Sequence, residues 1–572
     1  MIDLKAKPFN LDDEAISWVK NTVESMTLEE KIGQLFIVML YGGHMTQEQK
    51  LGMIQGVKPG GIRYMNMPAD KLWEQTKLCQ DATKIPLLVA SNCENGGNGG
   101  VGNGTLVGNG AAIGAAGKEE HAYEVGRIGA VESASVGCNW TFAPVVDLLF
   151  NWRHTISQLR GFGYDAEETL RYAKVWNKAT REAGMADCVK HFPGDGCDEN
   201  DQHLCMTIND KSADEWMNTY GKVFKGLIDD GLKTMMVGHI AQPAWQRKLA
   251  GKEVSDAEIL PATLSKEITT GLLREELGFN GLVVTDASHM IGMMASMPRE
   301  EMLPTCIAAG CDMFLFMNDI EEDFKFMMQG YHKGIITEER LQDALYRILG
   351  TKASLGLHKK QQEGTLMPPK EGVSVVGCKA HYEAADKLAD DSITLVKDTQ
   401  NNLPIKTETH KRLKLVFVGG DSLIVAGQPM ASTSDACKEA LVKELEAEGF
   451  VVDLVDAEDM MTRRTSTAKL KEDYDAVLVA IDSTGFCQYN VMRMKWATQA
   501  HQPWYVAELP TVFVSFNLTN ILVDLNMSRT FINCYNDTPT VVKQFVKKLT
   551  GKSEFKGKYN ENVWCDRWDT KL

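Results

Sequence analysis

Residues 264–286 read LSKEITTGLLREELGFNGLVVTD, and this stretch decides the fold of the first part of the chain. Apolar residues recur at helical spacing up to Gly278, which is a typical helix stop. The run GLVVTD follows at once and lacks the alternation of a half-exposed strand, so it predicts a strand buried on both faces. A helix followed directly by a buried strand is the repeating unit of parallel β/α folds.

The same alternation of apolar runs and helix-length segments extends over residues 1–355. A capping box of Thr27 and Glu30 predicts that one such helix begins in MTLEEKIGQLF, residues 26–36. About seven or eight strand–helix units in a segment of this length predict a (β/α)8 TIM-type barrel. The other apolar runs are GGIRYM (60–65), PLLVAS (86–91), TFAPVVD (141–147), ADCVKH (186–191), TMMVGHI (234–240) and DMFLFM (312–317).

A second domain is predicted after the barrel. Residues 356–380 are polar and contain a Pro pair, which is typical of a linker. Residues 381–572 return to apolar runs separated by amphipathic helices such as DACKEALVKELEAEG (435–449), and this pattern predicts a doubly wound α/β sandwich domain. The runs are LKLVFVGG (413–420), FVVDLVD (450–456), YDAVLVAID (474–482), PTVFVSFN (510–517) and TFINCYN (530–536).

Composition limits the class of protein and its partners. The chain has 572 residues and a net charge of −16, which disfavours nucleic acid or an anionic membrane as a partner. We find no apolar run long enough for a transmembrane helix and no apolar signal core at the N-terminus. The 13 cysteines form no CxxC pair, which is typical of thiols in a reducing compartment. We therefore expect a cytoplasmic protein.

Polar residues follow the predicted barrel strands at the point where each strand ends. Because the carboxyl ends of barrel strands meet at one mouth, we expect these side chains to converge there, where the active sites of such barrels lie. The residues are Asn66, Asn92, Asp147, Lys190, His191, His239, Asp286 and Asn318.

The loop KHFPGDGCDENDQH, residues 190–203, carries the densest group of titratable side chains. Asp201 and His203 are one residue apart, so in an extended segment both side chains point the same way. An Asp bonded to one ring nitrogen of a His makes a proton-transfer dyad. Asp286, taken alone, fits a helix cap as well as a nucleophile, but a nucleophile and a separate acid/base are what double displacement at a sugar carbon requires. A divalent metal site in this loop is an alternative.

The same loop resembles the KHFPGHG…DSH signature of family 3 glycoside hydrolases, in their β-N-acetylglucosaminidase (β-N-acetylhexosaminidase) branch. The resemblance covers most of the chain, because other segments resemble that family in the same order. They are MTLEEKIGQLF (26–36), GCNWTFAPVVDL (137–148), RGFGYDAEE (160–168), PATLSKEITTGLLREELGFNGLVVTDASHM (261–290), AAGCDMFLF (308–316) and DSITLVKDTQNNLPI (391–405).

The resemblance implies a (β/α)8-like barrel, an α/β sandwich domain and a retaining mechanism through a glycosyl-enzyme intermediate. It implies Asp286 as nucleophile and Asp201 with His203 as the acid/base dyad. It also implies sugar-hydroxyl contacts for Lys190, His191 and Arg160. From their positions after strands, Asp147 and His239 are further candidates for substrate binding. No metal and no cofactor are expected.

Two parts of the sequence depart from the family pattern. The second His of KHFPGHG is Asp195 here, and the Ser of DSH is Gln202, which we expect to point away from the dyad. After PLLVAS the family has Asp-Gln-Glu-Gly-Gly, whereas this chain has Asn92-Cys93-Glu94-Asn95-Gly96, so Asn92 or Glu94 is the candidate for the distal hydroxyls.

These observations predict a retaining exo-β-glycosidase, with a β-N-acetylglucosaminide or another GlcNAc-containing oligosaccharide as first choice of substrate. A β-glucoside or a β-N-acetylgalactosaminide is the alternative sugar. Since a His acid is neutral once it has given up its proton, a phosphate acceptor is an alternative to water and would make the enzyme a phosphorylase. A catalytically inactive sugar-binding homologue is the non-enzyme alternative. The oligomeric state is left open, a homodimer included.

Overall fold

The computed structural model describes residues 2–419, 424–425, 428–429, 434–455, 466–483, 493–494 and 502–572. The chain divides into two compact units. The first comprises Met1–Val107, Ala122–Leu148 and Tyr164–Tyr382, and the second comprises Gly108–His121, Leu149–Gly163 and Glu383–Leu572. The segment predicted as a linker thus lies in the first unit, where the Trp73 indole donates to the Pro368 carbonyl at 2.9 Å.

The first unit is built on eight parallel strands in the order β4-β3-β2-β1-β8-β7-β6-β5. Parallel bridges from Trp140 to Ala186 and from Val145 to Lys190 join β4 to β5 and nearly close the sheet. The predicted barrel is therefore confirmed. The strands are β1 (Phe36–Leu40), β2 (Gly61–Tyr64), β3 (Leu88–Ser91), β4 (Trp140–Thr141), β5 (Cys188–Phe192), β6 (Thr234–Val237), β7 (Leu282–Ala287) and β8 (Met313–Leu315).

Strand β1 is the one barrel strand that the apolar runs did not reveal. Thr27 and Glu30 form the predicted capping box, but the helix that they start ends at Gln34. The buried run FIVML follows almost without a connection, so the sequence pattern merged helix and strand into one segment. Strand β1 pairs with β8, the last barrel strand in the chain, and Phe36 lies opposite Phe314.

The segment that decides the fold contains a helix of an unusual type. Residues Glu267–Glu276 form a π-helix, and the Leu277 amide donates to the Leu272 carbonyl five residues back, at 3.0 Å. Gly278 follows with φ +75°, a conformation that a residue with a Cβ rarely adopts, and ends the helix as predicted. Strand β7 then begins at Leu282, four residues later.

Helices alternate with the strands along the chain. Besides that π-helix, a second π-helical turn spans Met217–Gly221. The α-helices are Asp13–Ser25, Leu28–Gln34, Gln47–Val57, Ala69–Asp81, Gly110–Ala116, Glu119–Ser135, Ala166–Glu182, Ala213–Trp216, Lys222–Asp229, Pro243–Leu249, Ile291–Met294, Arg299–Ala309, Ile320–His332, Glu338–Ser354, Leu357–Gln362, Lys379–Ser392, Ser434–Ala447, Thr467–Asp473 and Pro539–Leu549. No helix of the described ranges is both long enough and apolar enough to cross a membrane.

The second unit contains a mixed six-stranded sheet in the order β9-β14-β13-β12-β10-β11, with β9 antiparallel to β14 and the other pairs parallel. Alternate residues of its strands enter two different apolar clusters: Leu478 packs in one, whereas Val477 and Val479 pack in the other. A sheet buried on both faces confirms the predicted α/β sandwich. Its strands are β9 (Thr394–Asp398), β10 (Arg412–Gly419), β11 (Val451–Leu454), β12 (Ala476–Asp482), β13 (Thr511–Ser515) and β14 (Thr530–Asn533).

Candidate active site

Strand β7 carries Asp286 to the mouth of the barrel. Its Oδ1 accepts from the Ala287 amide at 2.7 Å, while its Oδ2 lies 3.7 Å from His191 Nε2. Burial raises the pKa of this carboxyl, but the imidazoles of His191, His239 and His203 outweigh burial and bring the pKa to about 2. Asp286 is therefore an anion at any ordinary pH, and one of its two oxygens has no backbone donor.

His191, at the end of β5, is held by a buried carboxylate. Its Nδ1 lies 2.7 Å from Asp147 Oδ2, and its amide donates to Asp147 Oδ1 at 3.2 Å. Asp147 has no solvent exposure. Burial alone would raise the pKa of its carboxyl. His191 and the backbone amides of Asp195 and His191 have the larger effect and lower this pKa below its ordinary value, so the group stays ionised. Since a carboxylate can only accept, His191 donates through Nδ1 and turns Nε2 towards Asp286.

Lys190 and Glu94 form an ion pair at the ends of β5 and β3. The Lys190 ammonium lies 2.6 Å from Glu94 Oε1, and the two side chains are 3% and 15% exposed. Arg63, on β2, is close enough for Glu94 to favour its charged form, although burial lowers its pKa. The strand-end pattern missed Arg63, because it lies inside the apolar run GGIRYM rather than after it. Charged donors and acceptors of this kind suit a ring of sugar hydroxyls.

The Asp201–His203 dyad is present, in a different backbone conformation from the one expected. His203 Nδ1 lies 2.7 Å from Asp201 Oδ1, and the same oxygen accepts the His203 amide at 2.9 Å. The segment is a tight turn rather than an extended strand, since the Leu204 amide donates to the Asp201 carbonyl at 2.9 Å. Asp201 is fully buried, whereas the His203 side chain is 25% exposed. The carboxylate thus fixes the ring tautomer and leaves Nε2 free for proton transfer.

His239 follows β6, and both of its ring nitrogens are bonded within the protein. Nε2 lies 3.0 Å from the Ala287 carbonyl, which can only accept, so Nε2 carries the hydrogen. Nδ1 therefore accepts from the Thr263 hydroxyl at 3.0 Å. Burial lowers the pKa of His239 to about 4, and the ring is neutral near pH 7. This geometry orients the end of β7, next to Asp286, and leaves no ring nitrogen for a sugar.

The remaining candidates are Asn92 and Asn66 in the first unit and Arg160 in the second. The Asn92 side chain is exposed, and the backbone N–H of Asn92 donates to the Gly99 carbonyl at 3.2 Å. Arg160 belongs to the second unit, where its carbonyl packs against Gly110. Asn66 is exposed and donates to the Asn98 carbonyl at 2.5 Å. Contacts of Asn92 and Arg160 with a sugar stay predictions.

Two residues next to the dyad were not recognised as candidates from the sequence. His289 is exposed, and its ring stacks on Phe316 with a centroid distance of 6.4 Å and an angle of 17°. Neighbouring atoms partly desolvate the ring, and this, then the His203 charge, lowers the pKa of His289 while Asp286 opposes it, so all three groups lie within electrostatic range. The strand-end rule did not select these residues, because His289 comes three residues after Asp286 and Phe316 lies inside the apolar run DMFLFM.

In the loop that raised the metal alternative, several of the candidate metal ligands are bonded to other side chains of the protein. His191 bonds Asp147, His203 bonds Asp201, and Asp198 accepts from the Asn200 side chain at 2.7 Å. Within the described part of the chain, the group with metal-compatible spacing is Glu120, His121 and Asp391 in the second unit. There Asp391 Oδ2 contacts the Lys118 ammonium at 2.7 Å and His121 Nε2 at 2.9 Å.

Comparison with known proteins decides the family. Residues 27–351, more than half of the chain, match the model of the glycosyl hydrolase family 3 N-terminal domain. The chain belongs to glycosyl hydrolase family 3. A β-N-acetylglucosaminidase/β-glucosidase of Cellulomonas fimi is 38% identical to this family 3 enzyme over 585 residues, covering 100% of both chains. A β-hexosaminidase of Chromobacterium violaceum is 31% identical over 202 residues, which are 35% of this chain and 53% of the relative.

The family 3 enzyme also resembles a solved structure over nearly its whole length. The β-glucoside phosphorylase BglX is 37% identical and has a TM-score of 0.90, with 99% of each chain covered. A second structure of that phosphorylase, bound to 2FGlc, has a TM-score of 0.89, with 97% of this chain and 98% of that chain covered. The family predicted from the sequence motifs is confirmed, and with it the assignment of the chain as an enzyme that acts on glycosides.

Proposed function

We propose that this enzyme transfers a terminal β-linked sugar by double displacement, with Asp286 as the nucleophile and His203 as the acid and base. The observation that carries the proposal is an ionised Asp286 within electrostatic range of a carboxylate-bonded His203. The Oδ2 atom of Asp286 attacks the anomeric carbon as the bond to the leaving oxygen breaks. His203 Nε2 gives its proton to that oxygen, and a covalent glycosyl-Asp286 ester forms.

In the second step the ester is resolved from the opposite face of the sugar. Neutral His203 Nε2 takes the proton of an incoming water, the water oxygen bonds to the anomeric carbon, and the Asp286 carboxylate leaves. Two displacements on opposite faces return the β configuration. The initial product anomer, followed by NMR, should therefore be β; an α product would contradict the mechanism.

We also propose how the sugar is held. Lys190 and Glu94 present a charged donor and a charged acceptor side by side, and His191 presents its Nε2 next to Asp286. Asp147 and His239 contribute indirectly to sugar binding, because Asp147 orients His191 and His239 fixes the end of β7. Asn92 and Arg160 are proposed as outer contacts, on the basis of the family resemblance.

A β-N-acetylglucosaminide is our first proposal for the substrate, and a β-glucoside is the second. The name of the Cellulomonas fimi relative, which matches over the full length, supports both sugars. A panel of p-nitrophenyl β-glycosides of GlcNAc, GalNAc, Glc and Gal decides between them. The highest kcat/KM with GalNAc or Gal would overturn both proposals.

Phosphate is a second candidate for the acceptor. A carboxylate base would repel a phosphate dianion, whereas His203 is neutral when the acceptor arrives. The likeness to a β-glucoside phosphorylase over 99% of both chains favours the same acceptor. In that case the phosphate oxygen bonds to the anomeric carbon and the product is a sugar 1-phosphate. A rate that is indifferent to millimolar phosphate, with free sugar as the sole product, would leave water as the acceptor.

Trapping of the intermediate tests the proposed function as a whole. A 2-fluoro glycoside with a good leaving group should form a stable ester, which adds the mass of one fluoro sugar to the intact chain. Peptide mapping should place that mass on Asp286. Lack of any adduct, with no turnover of the glycoside panel, would instead favour an inactive sugar-binding homologue.

The location and assembly of the enzyme are proposed on indirect grounds. We propose a cytoplasmic protein, because the twelve cysteines within the described ranges are all free thiols, as a reducing compartment keeps them. A homodimer stays a prediction that the mass in solution would test.

A further inference from the structure

Two positions that depart from the family motif contact each other. Asp195 stands where the motif has His, and Gln202 stands where it has Ser. The Gln202 side-chain amide donates to Asp195 Oδ2 at 3.4 Å, and the two residues are only 2% and 1% exposed. Six residues of loop lie between them in the sequence, so this contact draws together two parts of the loop.

The other groups of Gln202 fix the dyad end of the loop. Its Oε1 accepts the His239 amide at 2.8 Å, and its carbonyl accepts the Gly292 amide at 3.1 Å. Gly238 permits the close approach, because a Cβ there would lie 3.1 Å from that Oε1. Gln202 is the residue between Asp201 and His203, so its bonds set the position of the backbone that carries both.

The other groups of Asp195 fix the sugar-binding end of the loop. Its amide donates to Asp147 Oδ1 at 2.8 Å, the same carboxylate that holds His191. Its carbonyl accepts the Tyr220 hydroxyl at 2.5 Å. The contact of Asp195 with Gln202 therefore connects the group that orients His191 to the turn that carries His203.

We propose that Asp195 and Gln202 act together as positioning residues for His203, and we call them the Asp195–Gln202 clamp. The inference rests on the proposed function, since it assigns the clamp to the proton donor of that mechanism. The clamp holds the dyad turn against β6 and the helix Ile291–Met294 before substrate binds. A displacement of a catalytic group by about 1 Å can slow a reaction by about 100-fold, so a fixed turn matters for catalysis.

The dependence of rate on the leaving group separates this role from a purely structural one. A dinitrophenolate leaves without help from an acid, whereas phenolate needs the proton of His203. We expect Gln202→Ser and Asp195→His each to lower kcat/KM for a phenyl β-glycoside by about 10–100-fold. For the 2,4-dinitrophenyl glycoside of the same sugar, kcat/KM should change less than about twofold. Equal losses on both substrates would overturn the clamp.

A matched control and a double variant complete the test. Gln80 is a buried glutamine whose side chain bonds the Leu87 amide at 2.9 Å and the Leu87 carbonyl at 3.1 Å, away from the dyad. Gln80→Ser should lower Tm and leave the leaving-group dependence unchanged. The double variant Asp195→His with Gln202→Ser should lose no more than the worse single variant, because one contact is broken in all three. Multiplicative losses would overturn the pairing.

Failure of the clamp and failure of the proposed function give different results. If the unaltered enzyme forms no adduct at Asp286 and turns over no glycoside, the proposed function fails. If it turns over both glycosides and the variants respond equally to both, the mechanism stands and the clamp fails.

Discussion

Single residues show how far local rules reach in this chain. The rule that barrel strands end at one mouth located Asp286, His191 and Lys190, and all three lie there. The spacing of Asp201 and His203 indicated their contact, although a tight turn brings it about. The same rule overstated His239, whose ring is used within the protein. Position after a strand says where a side chain is, and not what else it bonds.

Removal of the proposed nucleophile gives the sharpest prediction at this scale. Asp286→Ala should lower kcat for a dinitrophenyl glycoside by about 10⁴-fold or more, because neither displacement can then occur through the enzyme. Azide should restore part of the rate, since it can enter the space of the lost carboxylate and attack the anomeric carbon directly. The product should be the α-glycosyl azide, identified by NMR. Full activity without azide, or a β-azide, would contradict the assignment.

Individual elements show where sequence patterns fail to predict the structure. Strand β1 follows its helix so closely that no pattern separates the two. The glycine-rich loop that follows β3, residues 94–107, is held by one buried carboxylate. This is Glu132, which accepts the Thr105 amide at 2.8 Å and contacts His381 Nδ1 at 2.6 Å. Burial raises the pKa of Glu132, but His381 and the Thr105 donors lower it below the ordinary value. The Glu132 carboxylate thus ties the backbone of this loop at Thr105 to the His381 ring.

A glycine of this loop should be intolerant of a methyl group. A Cβ on Gly97 would lie 1.7 Å from Glu132 Oε2, so Gly97→Ala must displace the carboxylate that holds the loop. We expect a loss of about 1–3 kcal/mol in the free energy of unfolding, measured by urea denaturation. Gly52 is the matched control, because it lies in the helix Gln47–Val57 with nothing within 4 Å of its Cβ position. Gly52→Ala should stabilise by about 0.5–1 kcal/mol. Similar losses in both variants would refute this account.

The helix Glu338–Ser354 buries a lysine, which makes stability depend on pH. Lys352 has no exposure, donates to Gln34 Oε1 at 2.8 Å, and burial lowers its pKa from 10.5 to about 7. Between those values the unfolded chain binds more protons than the folded chain, so stability should rise with pH from 7 towards 10.

The Lys352→Met variant should lack this increase. Its Tm should exceed that of the unaltered chain most clearly at pH 7, and the difference should shrink as the pH approaches 10. Parallel Tm curves for the two proteins over this range would show that Lys352 stays charged in the fold.

At the scale of the whole molecule, contacts assign parts of the chain differently from their order in the sequence. Two short segments from within the first 355 residues belong to the second unit, and the helix Leu357–Gln362 belongs to the first. The net charge of −16 disfavours nucleic acid and anionic membranes as partners, but it indicates no domain boundary. Sequence order predicts domains only where each domain is one continuous piece of chain.

A buried carboxyl in the second unit should weaken the whole chain above about pH 6. Asp482 is 3% exposed, and burial, then the Asp537 carboxylate, raises its pKa from 3.8 to about 6. A raised pKa means that its contribution to stability is present below pH 4 and is lost as the pH rises through 6.

The Asp482→Asn variant tests this contribution. An amide can bond Asn517 and the Ser434 hydroxyl without a charge, so the variant should gain about 2 kcal/mol at pH 7.5 and little at pH 4. Thermal unfolding of the full chain at the two pH values measures the difference. An equal effect at both would contradict the raised pKa.

The sequence by itself determined the fold class, the family and the acidic and imidazole groups at the strand ends of the barrel, for which we propose catalytic roles. The fold class follows from periodicity along strands and helices, which a sequence carries directly. The family follows from the resemblance of whole motifs such as KHFPGDGCDENDQH, which the match to the family model confirms. The tertiary structure alone decided that Asp147 orients His191, that Arg63 lies near Glu94, and that Asp195 meets Gln202. The first two contacts join the ends of different strands, which assembly of the barrel brings together. The third joins two positions of one loop, and the path of that loop is fixed by its bonds to Asp147 and to the His239 amide, not by any local pattern.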